Sequence, residues 1–315
     1  MSDINVGFVG LGNVGSKVAN NIIRNGYKLY VHDLDENKSK NLISKGGIFC
    51  KNIEELVPNV SILITCLPSP KSVKDVLLKC IPLFNESHLW IEMSTTDENE
   101  MKYLSELVFD KKAEVIEAPI TGGQHRAESG NISILVGGSR ESFERSFPIL
   151  SCVGHQILHC GDIGKASTLK VVTNYLASIN LLALGEALMV CKKYGVDLKT
   201  SFEGIKISSG NSFVHETESQ VILNGSYDVG FTMDLVCKDV GLFDKHTKKY
   251  EIPAELSSLM LEIFQRGRKN LGDRALSTSI VKLLEEKCNE NLRASGFPSY
   301  LEDKNQKQEA EEVII

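Results

Sequence analysis

The chain has 315 residues, a formal net charge of -6 and a pI near 5.7. At about 100–200 residues per domain, that length suits two domains with real cores. Hydrophobic residues make up 42% and charged residues 24%, which excludes a wholly disordered chain, and the acidic balance argues against nucleic acid as a partner. No apolar run reaches the ~18 residues of a membrane span, so no membrane partner is expected either.

The opening MSDINVGFVG has no basic region before its apolar stretch and reads as no targeting leader, so a cytoplasmic protein is expected. None of the eight cysteines forms a CxxC pair. Cys152 and Cys160 bracket His155 and His159, but strand-like alternation in CVGHQILHC would splay such ligands to both faces. Reduced structural thiols and no metal are expected.

In chain order, strands are expected at Asn5–Val9, Lys28–His32, Ser61–Cys66, His88–Glu92, Glu114–Glu117, Ile132–Val136 and His155–His159. Helices such as Val14–Asn25, Lys71–Lys79 and Glu98–Phe109 lie between them. This alternation implies a mainly parallel, doubly wound α/β sheet over residues 1–163. From there strand signals nearly vanish. Ala166–Tyr194 reads as one long helix, apolar on most faces and therefore buried or at a subunit interface. Helices follow at Leu198–Lys206, Phe213–Leu223, Thr232–Tyr250, Pro253–Lys269 and Thr278–Glu290, giving an all-helical domain over 164–290. The polar stretch 291–315 reads as a mobile tail.

The first strand runs into Gly10-Leu11-Gly12-Asn13-Val14-Gly15. After a strand and at the start of a helix, this spacing is the Rossmann dinucleotide fingerprint. Gly10 permits the tight turn, Gly12 lets backbone approach a pyrophosphate, and Gly15 lets helix and strand pack. The helix N-terminus favours the anion. Asp33, at the end of the second strand, suits hydrogen bonds to ribose hydroxyls and repels a 2′-phosphate; no Arg follows it, which favours NAD over NADP. Asp33 would equally serve as a cap for a helix starting near Asn37.

Further blocks follow: CLPSP (Cys66–Pro70), EMSTT (Glu92–Thr96), EAPITGG (Glu117–Gly123), GDIGKASTLKVVTN (Gly161–Asn174) and FTMDLVCKDVGL (Phe231–Leu242). Together with the glycine loop, and in this order, they resemble the β-hydroxyacid dehydrogenase family, which includes 3-hydroxyisobutyrate dehydrogenases. The resemblance covers about residues 4–290. It implies Lys170 as the catalytic lysine and Thr121, Gly122, Gly123 and Asn174 as holders of the substrate carboxylate. It implies Leu67, Pro68, Thr95 and Lys238 as cofactor contacts beside Gly10–Gly15 and Asp33, with Asp239 as the partner of Lys238.

The residues themselves fit these roles. Lys170 lies among Leu169, Val171 and Val172, where lost solvation lowers an amine pKa toward the range useful for proton exchange, and Asn174 is one turn on along the same helix face. A lysine snorkelling to water has the same local pattern. Thr121 stands for the usual Ser, Thr173 for the first Asn of a pair and Asn131 for a common Thr. Arg126 stands for a glycine, facing either substrate or solvent.

The expected activity is NAD-dependent oxidation of a small 3-hydroxy acid, by a homodimer or homotetramer built through the long helix. The alternatives are an NAD(P)H-dependent reductase of small aldehyde acids such as succinic semialdehyde or glyoxylate, and a catalytically silent dinucleotide-binding module. A 6-phosphogluconate dehydrogenase usually has a longer helical domain.

Overall fold

The computed structural model describes residues 4–315. The chain forms two compact units, one holding the chain as far as Lys170 together with Asp303–Ile315, the other Val171–Glu302.

In the first unit, β1 (Asn5–Val9), β2 (Lys28–His32), β3 (Ile48–Phe49), β4 (Ile62–Thr65), β5 (Leu89–Glu92) and β6 (Glu114–Glu117) are parallel, in the order β3-β2-β1-β4-β5-β6. This is the doubly wound Rossmann order. Beyond β6 the direction reverses. β7 (Ile120–Thr121) and β6 pair antiparallel with β8 (Ile132–Gly138), and β9 (Gly154–His159) and β10 (Glu311–Glu312) run parallel to β8.

Strand residues alternate between two cores, as a period of two requires. Phe8, Ile64 and Ile91 face one core with Val18 and Ile22 of α1 (Gly15–Arg24). Val9, Leu63 and Trp90 face the other, where α2 (Lys40–Ile43) has no part. There α3 (Ile53–Leu56) contributes Leu56, α4 (Pro70–Cys80) Leu77, and α5 (Glu98–Phe109) Leu104. Helix starts are chemically marked. Ser69 accepts from Ser72 N at 3.1 Å with Pro70 in the first turn of α4, and Asp97 accepts from Asn99 N at 2.9 Å at the start of α5. Two further helices complete this unit, α6 (Gly123–Ser129) and α7 (Arg140–Val153).

The long helix α8 (Lys165–Lys193) leaves the first unit after Lys170 and enters the second. By length and composition it is apolar enough to cross a membrane, with 33% of that window buried. This corrects the expectation that no stretch is so apolar: Glu186 interrupts the run without making the window polar. The second unit continues with α9 (Leu198–Lys206), α10 (Phe213–Asn224), α11 (Met233–Lys249), α12 (Glu255–Leu271) and α13 (Ile280–Cys288). Its core joins Leu184 and Leu188 of α8 to Phe202, Ile222, Val240 and Phe264.

The tail read as mobile is instead tied down, which corrects that expectation. Leu292 is fully buried in the second unit's core. Val313 N donates to Ile157 O at 2.9 Å beside the β9–β10 pairing, and Arg140 holds Glu312 through two bonds of 2.5 and 2.9 Å. Most of the segment is exposed, but some of its polar side chains find specific partners far away in sequence.

Candidate active site

The carboxyl ends of β1, β4 and β5 converge on the glycine loop. Gly10 has φ +101°, and a Cβ there would lie 2.3 Å from Cys66 O and 2.9 Å from the Leu67 side chain. A Cβ on Gly15 would lie 2.1 Å from Gly10 O, whereas one on Gly12 would meet no protein atom within 4 Å. Two glycines are therefore required by close packing and the middle one by open approach, which is the cradle a dinucleotide pyrophosphate fits. Gly12 and Asn13 are exposed, and Val14 precedes the first turn of α1.

Asp33 is joined to this loop: Leu11 N donates to its Oδ2 at 2.7 Å, Asp35 N to its Oδ1 at 2.9 Å, and Lys38 pairs with it at 3.3 Å. Burial works to raise the Asp33 pKa, but the Asp35 and Leu11 amides and the Lys38 charge outweigh it and hold the carboxyl below its ordinary value. The carboxylate is thus ionised and oriented, with a lysine that sequence reasoning did not place beside it. The β4 and β5 turns also meet, through Leu67 N donating to Ser94 Oγ at 2.7 Å. Pro68 is exposed next to Leu67, and Thr95 is half-buried next to Ser94.

The segment after β6 forms a second feature. Thr121 ends β7, held by pairing to Ser133. Gly122 and Gly123 follow at φ +119° and +82°, a backbone shape that disfavours any side chain. The Arg126 side chain folds back over this turn, its Cδ 3.1 Å from where a Gly122 Cβ would stand, and the residue is half-buried.

Lys170 lies in the second turn of α8 and is 6% exposed. The start of that helix has an unusual anchor. Glu117, at the end of β6, accepts from Gly164 N at 2.7 Å, Ala166 N at 2.8 Å and Ser167 Oγ. A buried carboxylate thereby caps the positive end of the helix that bears Lys170. The chain leading away from Glu117 runs directly into the Thr121–Gly123 turn, so one residue fixes the origins of both features. Burial pushes the Glu117 carboxyl pKa up against these bonds. Burial likewise pushes neighbouring Glu92 up to about 7, against bonds from Ser94 and Thr65 and with a further rise from the Glu117 charge. Neither glutamate stood out in the sequence: the Glu117 partners lie far along the chain, and Glu92 is joined to distant Thr65 as well as to Ser94 two residues on.

In the second unit, Asn174 donates through Nδ2 to Asp239 Oδ2 at 2.6 Å, and Lys238 pairs with Asp239 at 2.7 Å. Next to this group Tyr175 stacks on Phe243 with ring centres 3.9 Å apart. The structure therefore joins the asparagine of the GDIGKASTLKVVTN block to the Lys-Asp pair of the FTMDLVCKDVGL block. Lys238 and Asn174 belong to the second unit, apart in the chain from the glycine loop and the Thr121–Gly123 turn of the first.

Residues 5–161 match the family model described as the NAD binding domain of 6-phosphogluconate dehydrogenase. Residues 164–284 match the one described as NAD-binding of NADP-dependent 3-hydroxyisobutyrate dehydrogenase. The chain is 30% identical over 287 residues to 2-(hydroxymethyl)glutarate dehydrogenase of Eubacterium barkeri, covering 90% of this chain and 95% of that one. It is also 30% identical to mitochondrial 3-hydroxyisobutyrate dehydrogenase of Drosophila melanogaster, covering 90% of each. The crystal structure of a 3-hydroxyisobutyrate dehydrogenase from Salmonella typhimurium superposes with a TM-score of 0.81 at 25% identity, covering 89% of this chain and 100% of that one. With an NAD-binding domain, a buried lysine on an anchored helix and this likeness along nearly its whole length, the chain is an oxidoreductase acting on CH–OH groups and belongs to the β-hydroxyacid dehydrogenase family.

Proposed function

We propose that the protein oxidises a small 3-hydroxy acid of the 3-hydroxyisobutyrate type to its semialdehyde or oxo acid, with NAD preferred over NADP. When bound, the nicotinamide accepts the hydride from the carbinol carbon. Lys170 takes the hydroxyl proton. The Gly122 and Gly123 amides and the Thr121 hydroxyl hold the acid's carboxylate and so fix which carbon is presented; resemblance alone assigns Asn174 to the acid. Gly10–Gly15 receive the pyrophosphate, Asp33 the ribose hydroxyls, and Leu67, Pro68 and Thr95 line the adenine-to-nicotinamide path. Resemblance alone assigns Lys238 to the cofactor.

The observation that carries this reading is the buried Lys170 on a helix capped by Glu117, whose own strand leads into the Thr121–Gly123 turn. A silent binding module would have no need of a buried amine held in this way. The exposed Leu176 and Val190 of α8 support a homodimer or homotetramer with this helix in subunit contact.

The test is reduction of NAD and NADP against a panel of 3-hydroxy acids, with the reverse reaction run on succinic semialdehyde and glyoxylate. Turnover of a 3-hydroxy acid with NAD supports the reading. A higher kcat/KM for aldehyde reduction with NADPH favours the reductase, and no turnover in either direction favours the silent module.

A further inference from the structure

The family models end at residue 284, yet the chain returns to the first unit as Asp303–Ile315. This return segment is fastened to the far end of α6, the short helix whose beginning is the Gly122–Gly123 turn. Asp303 Oδ2 accepts from Ser129 Oγ at 2.6 Å and from Asn131 Nδ2 at 3.0 Å. Asn131, only 5% exposed, also donates to Gln306 O at 3.0 Å and accepts from Gln308 N at 2.8 Å. Lys307 Nζ reaches Gly154 O at 2.7 Å, with its stem across Gly130. Farther along, Glu312 is clamped by Arg140. On its other side α6 is tied to α1, through Asn21 Nδ2 to Ala127 O at 2.7 Å and through Lys17 to Glu128 at 3.1 Å.

We propose that Asp303–Val313 is a strap that holds α6, with Asp303 as a positioning residue for the Thr121–Gly123 turn. The carboxylate-binding role of that turn rests on the dehydrogenase reading above. The physical case is as follows. A helix of this length is not stable alone. Its two glycine-rich ends, Gly122–Gly123 and Gly130, all at positive φ, give it soft hinges. Its position is then set by what grips its flanks. The α1 contacts grip one side, and the Asp303–Ser129–Asn131 cluster grips the end opposite the turn. This also accounts for Asn131: its amide meets three strap groups at once, two with its donor and one with its acceptor, which a threonine hydroxyl cannot do. The bonds described run from the strap to Ser129, Asn131, Gly154 and Arg140, around α6 rather than the Gly10–Gly15 loop, so the expected effect falls on the acid rather than on the dinucleotide.

The test uses the full chain with Asp303→Ala and the milder Asp303→Asn, which keeps an acceptor for Ser129. Two readouts are compared with wild type: amide hydrogen exchange, and steady-state kinetics with the best acid of the panel. Hydrogen bonds to a charged group are worth about 1.5–3 kcal/mol, so exchange in Gly123–Asn131 should quicken roughly tenfold or more in Asp303→Ala, with β1 and β4 unchanged. KM for the acid should rise about tenfold, below the ~10²-fold cost of an ångström's misplacement, while KM for NAD stays put and Asp303→Asn falls between. Unchanged exchange in Gly123–Asn131 overturns the strap by itself. Faster exchange with equal loss toward acid and NAD reduces the segment to general stabilisation and overturns the positioning role. A wild-type chain inert toward the whole panel overturns the dehydrogenase reading and takes the carboxylate part of this proposal with it.

Discussion

Glu117 Oε1 accepts a hydrogen bond from Ala166 N at 2.8 Å, joining the end of β6 to the first turn of α8 although the two residues lie 49 positions apart. The contact is buried, and it orients the helix one turn before Lys170. Glu117→Ala leaves the Gly164 and Ala166 amides without their buried acceptor and the Ser167 hydroxyl without its partner. It should therefore lower kcat at least about tenfold and cost roughly 1–3 kcal/mol of stability, with NAD affinity unchanged. Isothermal titration with NAD beside kcat separates the two effects. Full activity in Glu117→Ala would show that the cap does not govern Lys170.

Glu92 gives the protein a pH-dependent stability. Its folded pKa of about 7 lies above the unfolded 4.5, because burial disfavours the ionised form. The contribution is fully present below the unfolded value and is lost as pH rises through about 7. At about 1.4 kcal/mol per pKa unit the loss is on the order of 3 kcal/mol. Urea melts from acid to alkaline pH should show stability falling between 4.5 and about 7 and level above that. Glu92→Gln should flatten that fall; an identical slope in the variant would assign the pH dependence to other groups.

Asp33 and Lys38 form an ion pair at the proposed ribose site. With Asp33 ionised, NAD should exceed NADP in kcat/KM. Asp33→Asn retains an acceptor for Leu11 N but removes the repulsion and frees the Lys38 ammonium for a 2′-phosphate. The NADP/NAD ratio should then rise about tenfold, equivalent to ~1.4 kcal/mol, and adding Lys38→Ala should reverse the gain. A wild-type preference for NADP would remove Asp33 from the ribose site.

Arg126 packs its stem on Gly122, and the substrate-facing alternative has a direct test. A guanidinium suits a second carboxylate on the acid. Arg126→Gly should raise KM for dicarboxylic hydroxy acids about tenfold relative to monocarboxylic ones. An unchanged ranking across the panel would place the side chain in solvent.

What the sequence made legible was local. The Gly10–Gly15 spacing, the apolar run of α8 around Lys170 and the alternation of Val9, Leu63 and Trp90 with Phe8, Ile64 and Ile91 each depend on residues a few positions apart. What escaped it was set by distance. Lys38 approaches Asp33 because a tight turn brings it back. Glu117 reads as a strand end until its partners at Gly164 and Ala166 fold onto it. The strap reads as solvated because Asp303, Lys307 and Glu312 find their partners at Ser129, Gly154 and Arg140, far earlier in the chain.

The central claim is that Lys170 moves the substrate proton, and Lys170→Ala tests it most directly. Positioned general acid–base catalysis is worth about 10²–10⁴-fold, so kcat should fall by at least the lower figure while the NAD dissociation constant barely changes. Lys170→Arg should fail equally, since a guanidinium does not release its proton at working pH. Turnover within a few-fold of wild type in Lys170→Ala, measured with the same acid and saturating NAD, would contradict the account.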